Sequence, residues 1–212
     1  INAIRKAVVT ATKIDDGYIR PVSWRGSEMM CISAQTNTIH FALAAWKWPS
    51  YFSPEAKLKG IKLNISKWRR PDPLTAPVNT KAAGLYMICT LSKHEAESKG
   101  FDDSLMLDYR GYIAEATGAN IFFIKNNEIH TPIADCFLDG ITRQTVINIA
   151  RTEGIKVEEK RLNIEDINDY EECFVTGTAA EVTPVRSIAN YEFKPGKLCK
   201  FFIEKYSELT LS

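Results

Sequence analysis

The chain has 212 residues, of which 45% are hydrophobic and 25% charged, and its formal net charge is +1. This composition is that of an ordinary globular protein. The near-neutral charge gives no electrostatic footprint for nucleic acid, and no apolar run reaches the ~18 residues that a membrane-spanning helix needs. The five cysteines contain no C-x-x-C pair. We therefore expect no zinc site or disulfide framework, and a reducing, cytoplasmic compartment.

Hydrophobic periodicity and turn residues predict the elements in chain order. The chain is predicted to begin with a helix over 1–14, followed by strands over 18–24 and 39–48. After a proline-containing break, a strand over 61–68 precedes a helix over 81–100. The later elements are strands over 104–107, 112–116, 120–124, 128–131, 155–161, 172–176, 183–188 and 191–193, and helices over 142–153, 164–170 and 198–209. Many strands without regular βαβ alternation predict an α+β or open-barrel fold.

Lys81 lies between a proline-rich segment and a predicted helix. Pro71–Pro77 contains three prolines, which keep this segment out of helical geometry, and Asn79 and Thr80 offer an N-cap. The positive end of a helix disfavours a cation in the first turn, so we expect an amine that loses its proton readily and can form a Schiff base. An ordinary surface lysine near a helix start is the alternative, and this stretch by itself favours it.

Three further motifs could bind a ligand. In Leu138–Arg143 (LDGITR), the N–H groups of Ile141 and Thr142 fall at a helix start and could bind a phosphate, although a plain capped helix is commoner. Thr176–Pro184 (TGTAAEVTP) suits close ligand approach or a tight sheet connection equally. Glu115 lies in an apolar strand, where a buried carboxylate needs a cationic or hydrogen-bonded partner. A solvent-facing Glu115 is equally compatible with the pattern.

The other sequence patterns are weaker indications of a functional site. The basic run Lys67–Arg70 (KWRR) is predicted to be a solvated strand end. The three histidines share no metal-ligand spacing, and the sequence has no G-x-S-x-G elbow, P-loop or G-x-G-x-x-G motif. Together, the amine, the acid and the phosphate cradle predict pyridoxal 5'-phosphate as cofactor. The lysine would bind its aldehyde carbon, the acid would hold its ring nitrogen protonated, and the cradle would bind its phosphate.

At these residues the sequence resembles the class IV (fold type IV) pyridoxal-phosphate aminotransferases, and most nearly the bacterial branched-chain amino acid aminotransferases. The resemblance rests on motifs in a common order: DGYIRP (16–21), WP–Y (48–51), KAAGLY (81–86), DYRGYIAEATGANIFF (108–123), LDGITR (138–143) and VTGTAAEVTPVRSI (175–188). It implies amino transfer from leucine, isoleucine or valine to 2-oxoglutarate. A D-amino acid aminotransferase, an aminodeoxychorismate lyase and a cofactor-free remnant that only folds or oligomerises are the alternatives.

The resemblance implies a role for individual residues. Lys81 would form the Schiff base and move the proton, Tyr86 would bind the phenolic oxygen, and Glu115 would pair with the ring nitrogen. The residues expected to bind the cofactor are Lys81, Tyr86, Glu115, Leu138, Ile141, Thr142 and Thr178. The residues expected to bind the substrate are Tyr18, Arg20, Tyr51, Thr178 and Ala179.

The resemblance also implies domains and partners. Residues 1–47 would belong to a small N-terminal α/β domain, 48–58 to an interdomain loop, and 59–212 to a large pyridoxal-phosphate domain with open, barrel-like sheets and flanking helices. Family members carry more N-terminal sequence, which supplies a further arginine to the phosphate, and a start without Met predicts that upstream residues are missing. A homodimer or larger homo-oligomer acting on amino acids and 2-oxo acids is implied.

Overall fold

The computed structural model describes residues 2–14, 17–48 and 51–211, and the contacts divide the chain into two units, 1–51 and 52–212. The first unit contains helix α1 (Asn2–Thr12) and two antiparallel strands, β1 (Tyr18–Arg25) and β2 (Ile39–Trp46). The Tyr18 ring packs against that of Trp46, with centroids 5.2 Å apart. The Arg20 guanidinium also lies 5.2 Å from the Tyr18 ring centroid. Two of the predicted substrate residues are therefore neighbours.

The boundary between the units falls inside the predicted interdomain loop. Phe52 already groups with the second unit, and Pro54–Lys59 forms helix α2, capped by the Ser53 hydroxyl. Pro49 and Ser50, which belong to the WP–Y motif and to this loop, lie outside the described residues, as do Asp15 and Asp16. The domain limits at 47 and 59 stay a prediction.

A mixed sheet forms the body of the second unit. Its strands are β3 (Ile61–Arg70), β4 (Asp103–Asp108), β5 (Ile113–Ala116), β6 (Asn120–Lys125), β7 (Glu128–Pro132), β8 (Val157–Lys160), β9 (Glu172–Gly177), β10 (Glu181–Ile188) and β11 (Tyr191–Glu192). Its longer helices are α3 (Tyr86–Ser98), α4 (Ile141–Thr152) and α5 (Lys197–Leu211). Short 3-10 helices cover Ala83–Leu85 and Glu165–Asp169.

The strand order shows how the sheet curls. The order is β5-β4-β3-β10-β9-β6-β7-β8, with β11 beside β10. The Ile113 N–H of the first strand in this order donates a 2.8 Å hydrogen bond to Leu162 O, just after the last strand. The two ends of the sheet thus approach each other, as a nearly closed barrel requires. The predicted α+β fold with an open, barrel-like sheet is confirmed.

Apolar side chains on both faces hold the strands. Inside the curl, Ile61, Leu105, Ile121 and Val175 are fully buried. On the outer face, the amphipathic helices α4 and α5 cover β9 and β10, and the Phe122 and Phe174 rings stack at 4.9 Å. This packing fixes the start of α4 against the sheet. Among the described residues no helix is long and apolar enough to cross a membrane.

Candidate active site

A cavity of about 280 Å³ lies in the second unit, near the lower end of the size range of small-molecule sites. Seven predicted cofactor residues line it: Lys81, Tyr86, Glu115, Leu138, Ile141, Thr142 and Thr178. Ala179 follows Thr178 in the connection to β10 but is not among the lining residues. The other predicted substrate residues, Tyr18, Arg20 and Tyr51, belong to the first unit.

Lys81 precedes its helix instead of standing in the first turn. The predicted N-cap is wrong, because the Thr80 hydroxyl and N–H both bind Pro77 O, at 2.7 and 3.0 Å, in a turn. A 3-10 turn over Ala83–Leu85 follows, and the α-helix begins at Tyr86. Lys81 is exposed, and its Nζ lies 5.9 Å from the Tyr86 ring centroid. Its amine therefore lines the cavity from an irregular segment before the helix, and not from the first helical turn.

Glu115 is buried in the wall of the cavity. All four residues of β5 are buried, which resolves the choice that the sequence left open between a buried and a solvent-facing Glu115. Its Oε1 lies 3.3 Å from Arg70 Nε, in an ion pair whose two side chains are 11% and 4% exposed. Burial raises the pKa of Glu115 to about 8, against the opposing attraction of Arg70 and Lys81. A carboxyl group with such a pKa can change charge when a cationic ligand arrives.

Arg70 is a residue that the sequence analysis misjudged. The run Lys67–Arg70 was predicted to be a solvated strand end, which is wrong for Arg70, because this side chain is buried under the cavity. Its Nη1 lies 3.6 Å from Cys89 Sγ, while its Nε makes no hydrogen bond of good geometry. Simple alternation from Ile61 and Leu63 would not bury position 70, and the register of β3 shifts between Ile65 and Arg69, so the strand pattern gave no signal for Arg70.

The start of helix α4 forms the opposite side of the cavity. The helix begins at Ile141, one residue before the predicted start, and Gly140 occupies the N-cap without a side-chain cap. The first N–H groups of a helix have no partner within the helix, so those of Ile141 and Thr142 are available to an anion. Buried Arg143 anchors this turn by its ion pairs with Asp139 at 2.7 Å and Glu159 at 2.8 Å. This geometry suits a phosphate group.

Thr176 supplies a further polar group, which belongs to the predicted Thr176–Pro184 motif but was not among the residues expected to bind the cofactor or the substrate. This residue lines the cavity and is fully buried, yet its Oγ1 has no hydrogen-bond partner in the structure. A buried hydroxyl without a partner is costly, so it calls for a ligand or a water molecule. Its place in the Thr176–Pro184 motif, near the end of a buried strand, was the sequence signal for it.

A second polar cluster lies behind the loop that leads to α4. Asp108, Asp135 and Cys136 are close enough to hold a metal ion. However, Arg110 already binds both carboxylates, at 2.6 Å to Asp108 and 2.9 Å to Asp135. Burial and the two carboxylates raise the pKa of the Cys136 thiol to about 12. The cluster is therefore an ionic brace for the loop.

Comparison with known proteins assigns the family. The amino-transferase class IV family matches residues 1–188, most of the chain. The chain belongs to the class IV aminotransferases. The "Probable branched-chain-amino-acid aminotransferase" of Rickettsia bellii is 44% identical over 206 residues, which cover 95% of this chain and 70% of the relative. Its counterpart from Rickettsia conorii is 46% identical over 86% of this chain and 62% of the relative. The chain thus spans roughly two thirds of the length of these relatives.

Solved structures of this class IV family share the fold. The branched-chain amino acid aminotransferase of Escherichia coli has a TM-score of 0.93 at 32% identity, covering 98% of this chain and 71% of that one. The T.th. enzyme, solved with pyridoxamine 5'-phosphate, has a TM-score of 0.91 at 34% identity over 98% of this chain and 70% of that one. The shared fold therefore extends over nearly the whole chain.

Proposed function

We propose that this chain is the greater part of a branched-chain amino acid aminotransferase, which uses pyridoxal 5'-phosphate to transfer the amino group of leucine, isoleucine or valine to 2-oxoglutarate in a ping-pong cycle. The observation that supports this most is the convergence of Lys81, Glu115 and the start of α4 on one cavity. The buried Thr176 hydroxyl, which has no hydrogen-bond partner, supports a cavity made for a polar ligand.

The roles of the residues follow from their chemistry. The cofactor, when bound, supplies an electron sink and the carbonyl carbon that an amine attacks. Lys81 would attach it through Nζ, and would then carry a proton on that nitrogen to and from the substrate carbon. Glu115 would hold the ring nitrogen in its protonated form. Because a cation beside Glu115 favours its ionised state, we expect the raised pKa of its carboxyl group to fall on binding.

The remaining groups would orient the cofactor. The N–H groups of Ile141 and Thr142, with the Thr178 hydroxyl, would bind the phosphate at the helix start. Tyr86 would donate its hydroxyl to the phenolic oxygen, and Leu138 would pack on the ring. Thr176 Oγ1 lies in the same wall and would complete the polar lining.

The substrates are proposed from the relatives. Solved structures of the T.th. enzyme include complexes with N-(5'-phosphopyridoxyl)-L-glutamate and with 4-methylvaleric acid. That protein thus accommodates a glutamate adduct and a branched aliphatic acid. In this chain the Thr178–Ala179 turn would bind the substrate carboxylate. Tyr18, Arg20 and Tyr51 would bind the side chain, with the Arg20 guanidinium available for the second carboxylate of glutamate.

The same proposal covers assembly and compartment. We propose a homodimer or larger homo-oligomer that works in the cytoplasm on amino acids and 2-oxo acids. The five cysteines are all free, and four of them are buried, which is compatible with a reducing compartment. Sedimentation of the purified protein will measure the assembly.

The decisive experiment tests Lys81 directly. The chain is mixed with pyridoxal phosphate, reduced with borohydride and weighed intact by mass spectrometry. We expect one pyridoxyl phosphate adduct, absent in Lys81→Ala and retained in Lys125→Ala, a control at a solvent-accessible lysine outside the cavity. A folded chain that forms no adduct would support the alternative of a cofactor-free remnant. Turnover of D-alanine or aminodeoxychorismate without turnover of leucine would favour the other family activities.

A further inference from the structure

Asn120 connects the two halves of the cavity. It opens strand β6, and its side chain is buried between Glu115 and the loop before α4. Its Nδ2 donates to Leu138 O at 2.8 Å and lies 3.4 Å from Glu115 Oε2. Its Oδ1 accepts the Gly140 N–H at 3.2 Å. One carboxamide therefore contacts the acid and both ends of the Leu138–Gly140 turn.

These contacts need an amide at position 120. A carboxamide offers a donor and an acceptor on one rigid plane, and this matches a backbone C=O and N–H two residues apart. A Cβ at position 140 would collide with Asn120 Oδ1, so a side chain there would displace this carboxamide. Asn120 and Gly140 thus fit each other closely.

The sheet itself does not require this side chain. Asn120 pairs with Thr176 through the backbone ladder of β6 and β9. The carboxamide is therefore not needed for strand pairing, and its hydrogen bonds are directed to the turn. Residues 133–140 form no helix or strand, so the position of this segment depends on such contacts and on the brace through Asp135.

We propose that Asn120 is a positioning residue whose carboxamide clasps the Leu138–Gly140 turn and so sets the placement of Glu115 relative to the anion-binding start of α4. The inference rests on the proposed function in one respect: the two sites so joined would receive the ring nitrogen and the phosphate of one cofactor. A ligand that spans both sites gains affinity when their separation is fixed beforehand, because no binding energy is spent on ordering the turn.

Two variants and a control separate the contacts. Asn120→Ala removes the donor and the acceptor. Asn120→Asp keeps an acceptor for the Gly140 N–H but places a second carboxylate beside Glu115. Asn148→Asp makes the same chemical change on an exposed position of α4 and serves as the control. Three quantities are measured: hydrogen exchange of the Gly140 amide and NMR titration of Glu115 in the cofactor-free chain, and affinity for inorganic phosphate from the Ile141 and Thr142 amide shifts.

Each variant has a distinct expected pattern. In Asn120→Ala, loss of two hydrogen bonds should speed exchange of the Gly140 amide by about 10- to 30-fold and weaken phosphate binding by about tenfold. In Asn120→Asp, exchange at Gly140 should change less, while the titration midpoint of Glu115 should rise, because like charges disfavour ionisation. Asn148→Asp should match the unsubstituted chain in all three measurements.

The failures can be told apart. If folded Asn120→Ala keeps the phosphate affinity and the Glu115 titration of the unsubstituted chain, the positioning role is refuted, even if Gly140 exchanges faster. If Asn120→Ala does not fold, the titration of Glu115 in Asn120→Asp is the test. An unchanged titration midpoint of Glu115 in that variant would refute the contact between the two side chains. If the unsubstituted chain binds neither phosphate nor pyridoxal phosphate, the proposed function fails. Hydrogen exchange at Gly140 and the titration of Glu115 still test whether Asn120 positions the Leu138–Gly140 turn.

Discussion

The buried acid makes a quantitative prediction about stability. An unfolded glutamate titrates near 4.5, whereas burial holds the pKa of Glu115 at about 8. Between these values the folded chain keeps a proton that the unfolded chain has lost, so the free energy of unfolding falls as pH rises. Each pH unit in this window costs about 1.4 kcal/mol, which gives a loss of about 3 kcal/mol by pH 7. The loss is complete above pH 8.

The variant Glu115→Gln carries no ionisable group at this position and should lack this slope. Urea unfolding of the cofactor-free chain at pH 5, 6, 7 and 8 gives the free energy of unfolding of both proteins. We expect the difference in favour of the variant to grow with pH by about 1.4 kcal/mol per unit over this range.

A matched control isolates the effect of burial. Glu95 is partly exposed to solvent, and its hydrogen bond with Lys99 lowers the pKa of its carboxyl group. A carboxylate with a lowered pKa contributes stability that is lost only as pH falls, so Glu95→Gln should show no pH-dependent difference between pH 6 and 8. A flat difference for Glu115→Gln over the same range would refute the raised pKa, and would show that the ion pair with Arg70 offsets the effect of burial.

Two further substitutions test the cavity wall. Gly140→Ala should weaken phosphate binding by about tenfold, because its Cβ would displace the Asn120 carboxamide from the turn. Gly84→Ala, whose Cβ would meet nothing within 4 Å, should leave phosphate binding unchanged, and equal affinities of the two variants would contradict the close fit. Thr176→Val should leave the cofactor-free chain equally stable or more stable by about 1 kcal/mol, because it removes an unpaired hydroxyl, yet it should weaken pyridoxal phosphate binding, measured by fluorescence. Thr183→Val provides the contrast: its hydroxyl donates to Ala180 O at 2.6 Å, so its loss should destabilise the chain in urea, and equal effects of the two valines would refute the distinction.

The sequence predicted the elements better than their ends. Alternation and turn residues indicate a strand or helix wherever one face is buried, and nearly every predicted element is present. The start of the helix after Lys81 was misplaced, because the Thr80 hydroxyl is both a possible cap and a possible turn donor. Local sequence does not decide between these two partners. The choice depends on how the preceding prolines direct the chain.

Motifs found the residues that a ligand would contact, and missed those that hold them. Lys81 and Thr142 stand out because their positions next to turns have an immediate chemical meaning. Arg70, Asn120 and Thr176 do not. Arg70 pairs with a strand distant in sequence, Asn120 binds the loop before α4, and the Thr176 hydroxyl has no hydrogen-bond partner in the structure. Their importance is a property of the sheet order, which the sequence pattern did not provide.

The parallel pairing of β3 with β10 also determines when the cavity can exist. Ile61 pairs with Val185, and the chain between these two strands contains most of the other strands of the sheet. During synthesis, one edge of β3 therefore stays unpaired until the chain up to Ile188 has left the ribosome. Such distant pairings fold slowly and leave open strand edges prone to association. A nascent chain stopped before β10 would expose this edge and lack the cavity, so a ligand could bind and protect the protein only at the last stage of its assembly.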